Sequence, residues 1–571
     1  MNKTGRCLLV AAVLTVAATT AVLWFAGKGL CTIQSDGRFY YEYFTRLFVN
    51  RNLAGSGLIK YPIGTMLLQL PFLLVAYGCS AAFGIDLEGG SSFLFQYAVL
   101  VSALFWSFLA LCLLYGWLTG KVSRSAAFLS CLSLLLGTML PVYVTDKASF
   151  AHAYGFFSCT AFWVYVPWYE SAREKSAFTR GALMDLALGA LLGLCAIVRN
   201  TNVIIGAAFL FYGVHSLKSF GERLGRKVFT ARLVPQIAGA LAVYGIQMTA
   251  WRIMAGRWIL YSYVGESFTN WAHPHVLRVL FSDAKGLFVF SPILFVALVS
   301  LVFFREENKD FRLAQWSVFA AETLIIGAWW CWWLGTAFGE RLFCDVLCIF
   351  ALPLAVYFDK LHEWLKDLFA AKKTSMCWAP CLGYALACLF IILNLAIMRG
   401  VYKRRVNDHF ATWFELKSWL SYCVSKRGAV PNLGEAPLDI WFYGHKYNAL
   451  CYVSGVYRPE PHGSWTAGTR MDVEIPVKGP CEAYDVRIVV RQSFGGRQRW
   501  IVRQKDAIIG RGALESAGDV TFPAAVAKGE LAFSIEFPDA KRPSEVYSWS
   551  KDYRRLALQI ERIRIGPHKA E

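Results

Sequence analysis

The feature that most limits what this chain can fold into is a series of apolar runs, each long enough to cross a bilayer as one helix. Crossing takes roughly 20 residues. The runs lie at about 7–27, 92–118, 125–145, 153–169, 182–198, 201–216, 235–254, 287–304, 314–334, 343–358 and 377–398. A further run at 61–83 is interrupted by Pro62, Pro71, Gly64 and Gly78. Composition agrees: 56% of residues are hydrophobic and 17% charged, against roughly 25% charged in soluble domains. Yet the formal net charge is +19. A soluble enzyme, a disordered chain and a fibre are excluded. A nucleic-acid binder would be basic but not this apolar. The pairing of oil and positive charge fits a multi-span membrane protein with Lys and Arg in its loops. Run 7–27, with Lys3 and Arg6 before it, is too long for a signal peptide and lacks a clean cleavage site, so it reads as the first span.

Charge sorts the loops. If 61–83 does not cross, one set of segments holds Lys3/Arg6, Lys121/Arg124, Arg173/Lys175/Arg180, Lys218/Arg223/Arg226/Lys227/Arg232, Arg305/Lys309/Arg312 and Lys360/Lys366/Lys372/Lys373. The alternate loops hold fewer. The positive-inside rule then places the N-terminus in the cytoplasm. If 61–83 crossed, every later loop would change side and the bias would reverse. The sequence therefore predicts about eleven spans over 1–398, with 61–83 at or dipping into the outer interface. Everything after 398 lies outside, and the setting is the inner membrane of a bacterium.

The tail differs. It is charged, rich in Pro and Gly, and carries a net charge of about +8. Segments 485–492, 497–504, 530–537 and 556–565 alternate with period two between turn residues, which predicts a β-sandwich or jelly-roll. Residues 399–430 read as a helical linker, with helical spacing at 403–426, and 431–571 as a periplasmic β-domain.

On this topology the unusual polar residues gather on the outer face. They are Asp36 near the first span, Asp146, Lys147 and His152 in the next outer loop, and Arg199 between two short runs. Glu266, His273, His275 and Lys285 follow in a long loop, then Glu340 and Arg341 at a span boundary. Arginines at outer span ends oppose the positive-inside preference, and a phosphate is the obvious reason for them. His273-Pro274-His275 is extended at its proline and lacks a third ligand at metal spacing. The 16 cysteines show no zinc or disulfide pattern, and no GxxxxGK[ST] or GxGxxG loop occurs. Any activated donor is then a lipid. Displacement at a sugar C1 would let cations stabilise the departing phosphate while a carboxylate takes the acceptor's proton.

These residues carry a resemblance. SDGRFYY (35–41), KYPIG (60–64), DKASFAHAYGFF (146–157), VRNTN (198–202), GESFTNWAHPHV (265–276), KGLFVFSP (285–292) and WWLGTAFGER (332–341), in this order among the spans, resemble the type C glycosyltransferase superfamily. That superfamily includes the protein mannosyltransferases and the lipid A aminoarabinose transferase. The resemblance covers roughly 1–398. It implies Asp36 as catalytic base or acceptor-orienting carboxylate, Asp146 as a second acidic site residue, and two interfacial helices after the first span. Lys60, Arg199 and Arg341 become candidates for the donor phosphate. Tyr40, Tyr61, His152, Glu266, His273 and Glu340 become acceptor-side or surrounding residues. The start of the tail, YRPEPHGSWT (457–466), looks like outer β-domains on other envelope-polysaccharide enzymes.

The expectation is an inverting transferase. Its partners would be a polyprenyl-phosphate-linked sugar donor, an envelope glycan, lipid or O-antigen acceptor, and membrane lipids, with no nucleic acid. No cofactor is implied with certainty, and a divalent cation is left open. The competing readings are a glycan ligase or polymerase using a diphosphate carrier, and a transporter. The transporter predicts mid-span charges and an internal repeat. Mid-span acids are few (Asp185, Glu322) and no repeat is visible.

Overall fold

The computed structural model describes residues 9–19, 32–371 except 56, 91 and 336, 378–402 and scattered positions between 406 and 423. Beyond these it describes 438–442, 452–454, 456, 463–466, 468–477, 481–547 except 528, and 555–567. The chain divides into two compact units, Met1–Leu395 and Ala396–Glu571. The linker expected at 399–430 and the opening of the tail at 457–462 lie largely outside the described residues.

The first unit is helical. It begins with α1 (Leu9–Thr19), α2 (Gly37–Phe44), α3 (Gly64–Phe83), α4 (Phe93–Leu118), α5 (Arg124–Leu136), α6 (Leu140–Val144), α7 (His152–Arg173) and α8 (Phe178–Val198). A 3-10 stretch, Asn200–Gly206, leads into α9 (Ala207–Phe211), α10 (Leu217–Arg223) and α11 (Leu233–Ala255). Then come α12 (Val276–Phe281), α13 (Leu287–Phe290), α14 (Ile293–Phe303), α15 (Lys309–Ala328), α16 (Ala351–Ala370) and α17 (Trp378–Tyr402). Among the described residues, five helices are long and apolar enough to cross a membrane: α3, α4, α8, α11 and α17. The chain is a multi-pass membrane protein.

The other apolar runs are broken helices, each with a local cause. The 125–145 run stops at Gly137 and resumes at Leu140. The Asn394 side-chain amide of α17 takes the exposed carbonyls of Leu136 and Thr138 at 3.1 and 2.9 Å. The 287–304 run breaks at Ser291-Pro292, where proline removes a donor. The 314–334 run ends as helix at Ala328, because Trp330 N–H donates to Ser267 and the Asn270 amide to the Trp329 carbonyl. The 343–358 run starts as 3-10 turns at Arg341–Cys344 and Leu347–Phe350.

Helices α8 and α11 pack at backbone contact. A Cβ on Gly189 would fall 1.7 Å from the Gln236 carbonyl, and one on Gly239 2.0 Å from that of Leu186. Small residues allow this approach where no hydrophobic drive separates helix from lipid.

The bundle has two chemically different ends. At one, the Glu170 carboxylate at the end of α7 accepts from Arg223 at 2.8 Å, Glu174 pairs with Lys227, and Lys360 meets Glu307 at 2.9 Å. The other end holds Asp36, Lys60, Arg199 and Arg341. From Arg199 the chain returns to the first end in a dozen residues, and Gly213 N–H donates to the Asp310 carbonyl at 2.8 Å.

Helix α3 leaves and re-enters at the Asp36 end. Its first residue, Gly64, backs onto the Ile197 and Val198 backbone. Beyond its C-terminus, Gly90 accepts from the Tyr41 hydroxyl at 2.6 Å. Twenty helical residues span about 30 Å, and the seven residues after Phe83 reach back at most about 25 Å when fully extended. Helix α4 then starts at the same end, with Phe95 against Tyr41 and Phe44 and Gln96 on Thr32. A helix long enough to cross therefore does not change the face from which the next one departs.

Asp345 ties three distant segments together inside this unit. The carboxylate is 1% exposed. It accepts from His152 Nδ1 at 2.7 Å and from the Asn202 amide at 2.9 Å. Gly155, one turn into α7, leaves room for it, since a Cβ there would sit 2.4 Å from Asp345 Oδ2.

The second unit is antiparallel. Its strands are β1 (Leu438–Trp441), β2 (Tyr452–Ser454), β3 (Ser464–Trp465), β4 (Arg470–Pro476), β5 (Ala483–Ser493), β6 (Gln498–Gln504), β7 (Ala507–Leu514), β8 (Gly518–Ala525), β9 (Glu530–Glu536) and β10 (Leu558–Pro567). One sheet runs β1-β10-β5-β8 with β3 on β10, and the other β2-β4-β9-β6-β7. The four alternating segments of the sequence are β5, β6, β9 and β10. Their inward residues, such as Val486, Ile488, Phe533, Ile535 and Ile563, join Val473 and Phe522 in one core drawn from both sheets.

Replacing Asp345 with Ala leaves His152 and Asn202 buried without their acceptor, which should cost roughly 2–5 kcal/mol. Gly155→Ala should act in the same direction by displacing the carboxylate. Thermal unfolding in detergent should show both midpoints several degrees below wild type. Unchanged midpoints would remove Asp345 as an anchor.

Candidate active site

Asp36 sits on the turn that opens α2, and that turn is held from several sides. Gln96 on α4 accepts from the N–H groups of Thr32 and Ile33, both at 2.9 Å. The Gln34 amide donates to the Asp146 carbonyl at 2.7 Å, and Ser149 Oγ to the Thr32 carbonyl at 2.6 Å. Ser35 adopts φ +48°, a left-handed conformation uncommon for a residue with a side chain. Gly37 is obligatory where it stands, because a Cβ would overlap Ser149 Oγ at 1.8 Å.

This turn delivers Asp36 to Arg341, with Oδ2 2.8 Å from a guanidinium nitrogen. Arg341 also lies over the Phe150 ring, 5.5 Å from its centroid. Burial pushes the Asp36 carboxyl up. Arg341, both as a charge and as a hydrogen-bond donor, with Lys60 and Arg199, outweighs this and holds it below the ordinary carboxylate value. Asp36 is therefore an anion at neutral pH. Arg199 follows α8 in extended conformation. Among the described residues, neither the Nε of Arg199 nor that of Arg341 has a hydrogen-bond partner, and both atoms are buried. Buried donors left unpaired are costly, so two orphaned guanidinium N–H groups near one carboxylate describe a site lacking an acceptor.

Lys60 is arranged differently. Its ammonium is 2.5 Å from Glu266 and lies 5.2 and 5.4 Å from the ring centroids of Tyr61 and Tyr263. Ser262 Oγ holds the Lys60 carbonyl at 2.6 Å. Tyr61 stacks on Tyr40 with centroids 4.7 Å apart. Burial pushes Tyr263 up to about 12, so it stays a neutral phenol. Next to this wall is a cavity of about 120 Å³. Arg199, Asn200 and Thr201 line one side of it, and Tyr263, Phe268, Ile326 and Trp329 the apolar remainder.

The structure therefore brings Asp36, Arg341, Arg199, Lys60, Tyr40, Tyr61 and Glu266 to one end of the bundle. Asp146 reaches the same turn through its backbone carbonyl, and its Oδ1 lies 3.5 Å from the Gln34 amide. Its carboxylate is 38% exposed and 3.3 Å from Lys147. His152 is turned into the core toward Asp345 instead of the cleft. Glu340 is fully buried and neither carboxylate oxygen has a hydrogen-bond partner. His273 is exposed on a loop that Asn270 pins to the end of α15, and it joins none of these contacts. Tyr263, Gln34, Asn202 and Asp345 complete the surroundings without having stood out in the sequence. Asp345 does carry a readable signal, a lone acid within an apolar run. No group of three His, Cys, Asp or Glu able to hold a metal ion occurs among the described residues.

No known protein family and no curated protein matches the chain. Among solved structures it is similar to the archaeal oligosaccharyltransferase AglB from Archaeoglobus fulgidus, in complex with an inhibitory peptide and a dolichol-phosphate. Identity is 12%, 74% of this chain and 58% of that chain are covered, and the TM-score is 0.39. It is also similar to the arabinosyltransferase EmbB from Mycobacterium smegmatis, at 12% identity, 98% and 64% coverage and TM-score 0.36. The chain thus spans about three fifths of the length of either. Likenesses this distant carry neither reaction nor ligand over to this chain.

Proposed function

We propose that this chain is an inverting type C glycosyltransferase. It would move a sugar from a polyprenyl-phosphate carrier, undecaprenyl phosphate in a bacterial inner membrane, to an envelope glycan, lipid or O-antigen acceptor on the periplasmic face. Residues 1–398 would be the catalytic membrane domain, 399–430 a linker and 431–571 a periplasmic β-sandwich. The observation that supports this most is the pair of buried, unpartnered guanidinium Nε groups beside an ionised Asp36. The donor's phosphodiester, released as a phosphate monoester when its bond to C1 breaks, has the acceptor oxygens and the charge that such a site lacks.

In this reading the donor phosphate engages Arg341 and Arg199, and the lipid enters along the apolar side of the cavity. The acceptor hydroxyl gives its proton to Asp36 as its oxygen bonds to C1 with inversion. The bond from C1 to the phosphate oxygen breaks, and its electron pair leaves with the phosphate, which the two arginines stabilise. Asp36 starts as the counter-ion of Arg341. A bound phosphate competes for that arginine, so the carboxylate becomes more basic once the donor is in place. Lys60 is already answered by Glu266 and, in this reading, shapes the aromatic wall more than it holds phosphate.

Asp36→Asn should lower transfer by about 10²–10⁴-fold, the usual range for loss of a general base, with donor binding retained. Wild-type turnover in that variant would end the assignment.

Asp36 also sets a pH dependence. Against burial, Arg341, Lys60 and Arg199 hold its carboxyl below the ordinary carboxylate value, so the free enzyme keeps the reactive anion to a pH below the usual carboxylate range. Arg341→Gln removes the main opposing charge and leaves burial dominant. Its acid limb in transfer against pH should therefore move upward. An unmoved limb would show that Asp36 is not the titrating base.

Purified protein offered a monophosphate-linked sugar and a diphosphate-linked oligosaccharide should use the first. Exclusive use of the second would favour the ligase or polymerase reading.

A further inference from the structure

Helix α15 lines two cavities, one near each end. Its C-terminal turn, with Trp329 beyond it, borders the cavity beside Arg199. Its N-terminal turns border a larger one, about 960 Å³, between α9–α10 and the end of α14. From Arg312 to Trp329 the helix rises about 25 Å, close to the roughly 30 Å of a bilayer's hydrocarbon core. That rise covers most of the hydrocarbon core, so the second cavity lies at the leaflet opposite the active site.

Its lining divides by chemistry. Phe211, Phe220, Leu301, Val302, Leu313 and Trp316 form apolar walls. Val302 and Leu313 are 44% and 40% exposed in the protein alone. Arg305, Lys309 and Arg312 stand at the rim with a single acid, Glu306. Glu306 lies 3.9 Å from Lys309 and is itself 87% exposed, too loose a pair to neutralise the cluster. Among the described residues Arg305 donates only to the nearby Val302 carbonyl. Of the acids next in the chain, Glu307 is engaged with Lys360, and Asp310 lies 3.9 Å from His215, which itself lines the cavity. Short chain segments create the space. The 3-10 and helical stretch from Asn200 to Phe211 spans only about 20 Å, so it fills less of the bundle than a full span would.

We propose that this cavity binds an anionic glycerophospholipid from the leaflet opposite the active site. Its phosphate sits under Arg305, Lys309 and Arg312, and its acyl chains lie along the walls of α14 and α15. A soluble phosphate would leave those walls exposed, and a zwitterionic lipid would leave the cluster unanswered. The site is independent of the proposed reaction and stands or falls separately from it.

Native mass spectrometry of the full-length protein in detergent tests this, using phosphatidylglycerol and phosphatidylcholine of identical acyl chains. Wild type should retain phosphatidylglycerol at least about fivefold over phosphatidylcholine, the effect expected for even one surface cation. R305Q/K309Q/R312Q should retain the two lipids equally while keeping its lipid-free thermal midpoint. Should the triple variant fold poorly, Arg312→Gln alone should reduce the preference. Equal retention by wild type, or a preference that survives in a folded variant, overturns the proposal.

Discussion

The ion pair between Asp36 and Arg341 is the constraint around which this end of the protein is organised. In an apolar bundle a half-buried carboxylate and a buried guanidinium are each costly unless they find a partner, and here they find each other. Each is delivered by a segment that the rest of the fold must hold still. The Asp36 turn is fixed by Gln96, Gln34 and Ser149 and accepts a left-handed Ser35. Arg341 lies at the start of the 3-10 turns that end near Asp345. That residue in turn grips α7 and the chain just after Arg199. The pair is thus the meeting point of several otherwise separate restraints.

Charge is used differently at the two ends. At the end carrying Glu170, Glu174 and Glu307, those acids are matched with bases in ion pairs, and apart from the Arg305, Lys309 and Arg312 cluster at the larger cavity the remaining basic residues follow the topological bias of short loops. At the Asp36 end the positive groups are few, but two of them keep unpartnered buried donors. Lys60 shows the contrast, since it sits at the same end yet is fully answered by Glu266 and two aromatic rings. Unmatched charge, more than total charge, separates a structural cation from one available to a ligand.

Much of this was legible in the sequence where one physical signal dominates. Length and hydropathy gave the helices, and period-two alternation marked β5, β6, β9 and β10. The sorting of lysines and arginines implied that 61–83 does not cross, whereas Pro71 lies inside an unbroken α3 that is long and apolar enough to cross. The breaks were less visible. Gly137 and Ser291-Pro292 interrupt apolar runs only because side chains such as Asn394 can satisfy the freed carbonyls. Asp345 was hidden for a related reason. A lone acid in an apolar run becomes informative only when its partners are known, and His152 and Asn202 come from other segments. His273 stands exposed on its loop, because polarity beside a span does not say which way a loop turns. Strand order in the β unit, with β10 between β1 and β5, depends on long-range pairing that alternation cannot encode.

The central claim is that Asp36 and Arg341 act as one unit in transferring the sugar. A double-mutant cycle on transfer rate reads this directly, comparing Asp36→Asn, Arg341→Gln and the double variant under saturating donor and acceptor. Residues that act as a unit are strongly non-additive. The account predicts that the double variant is no slower than the worse single variant, within about threefold. Losses that multiply across the cycle would show two independent residues and contradict it.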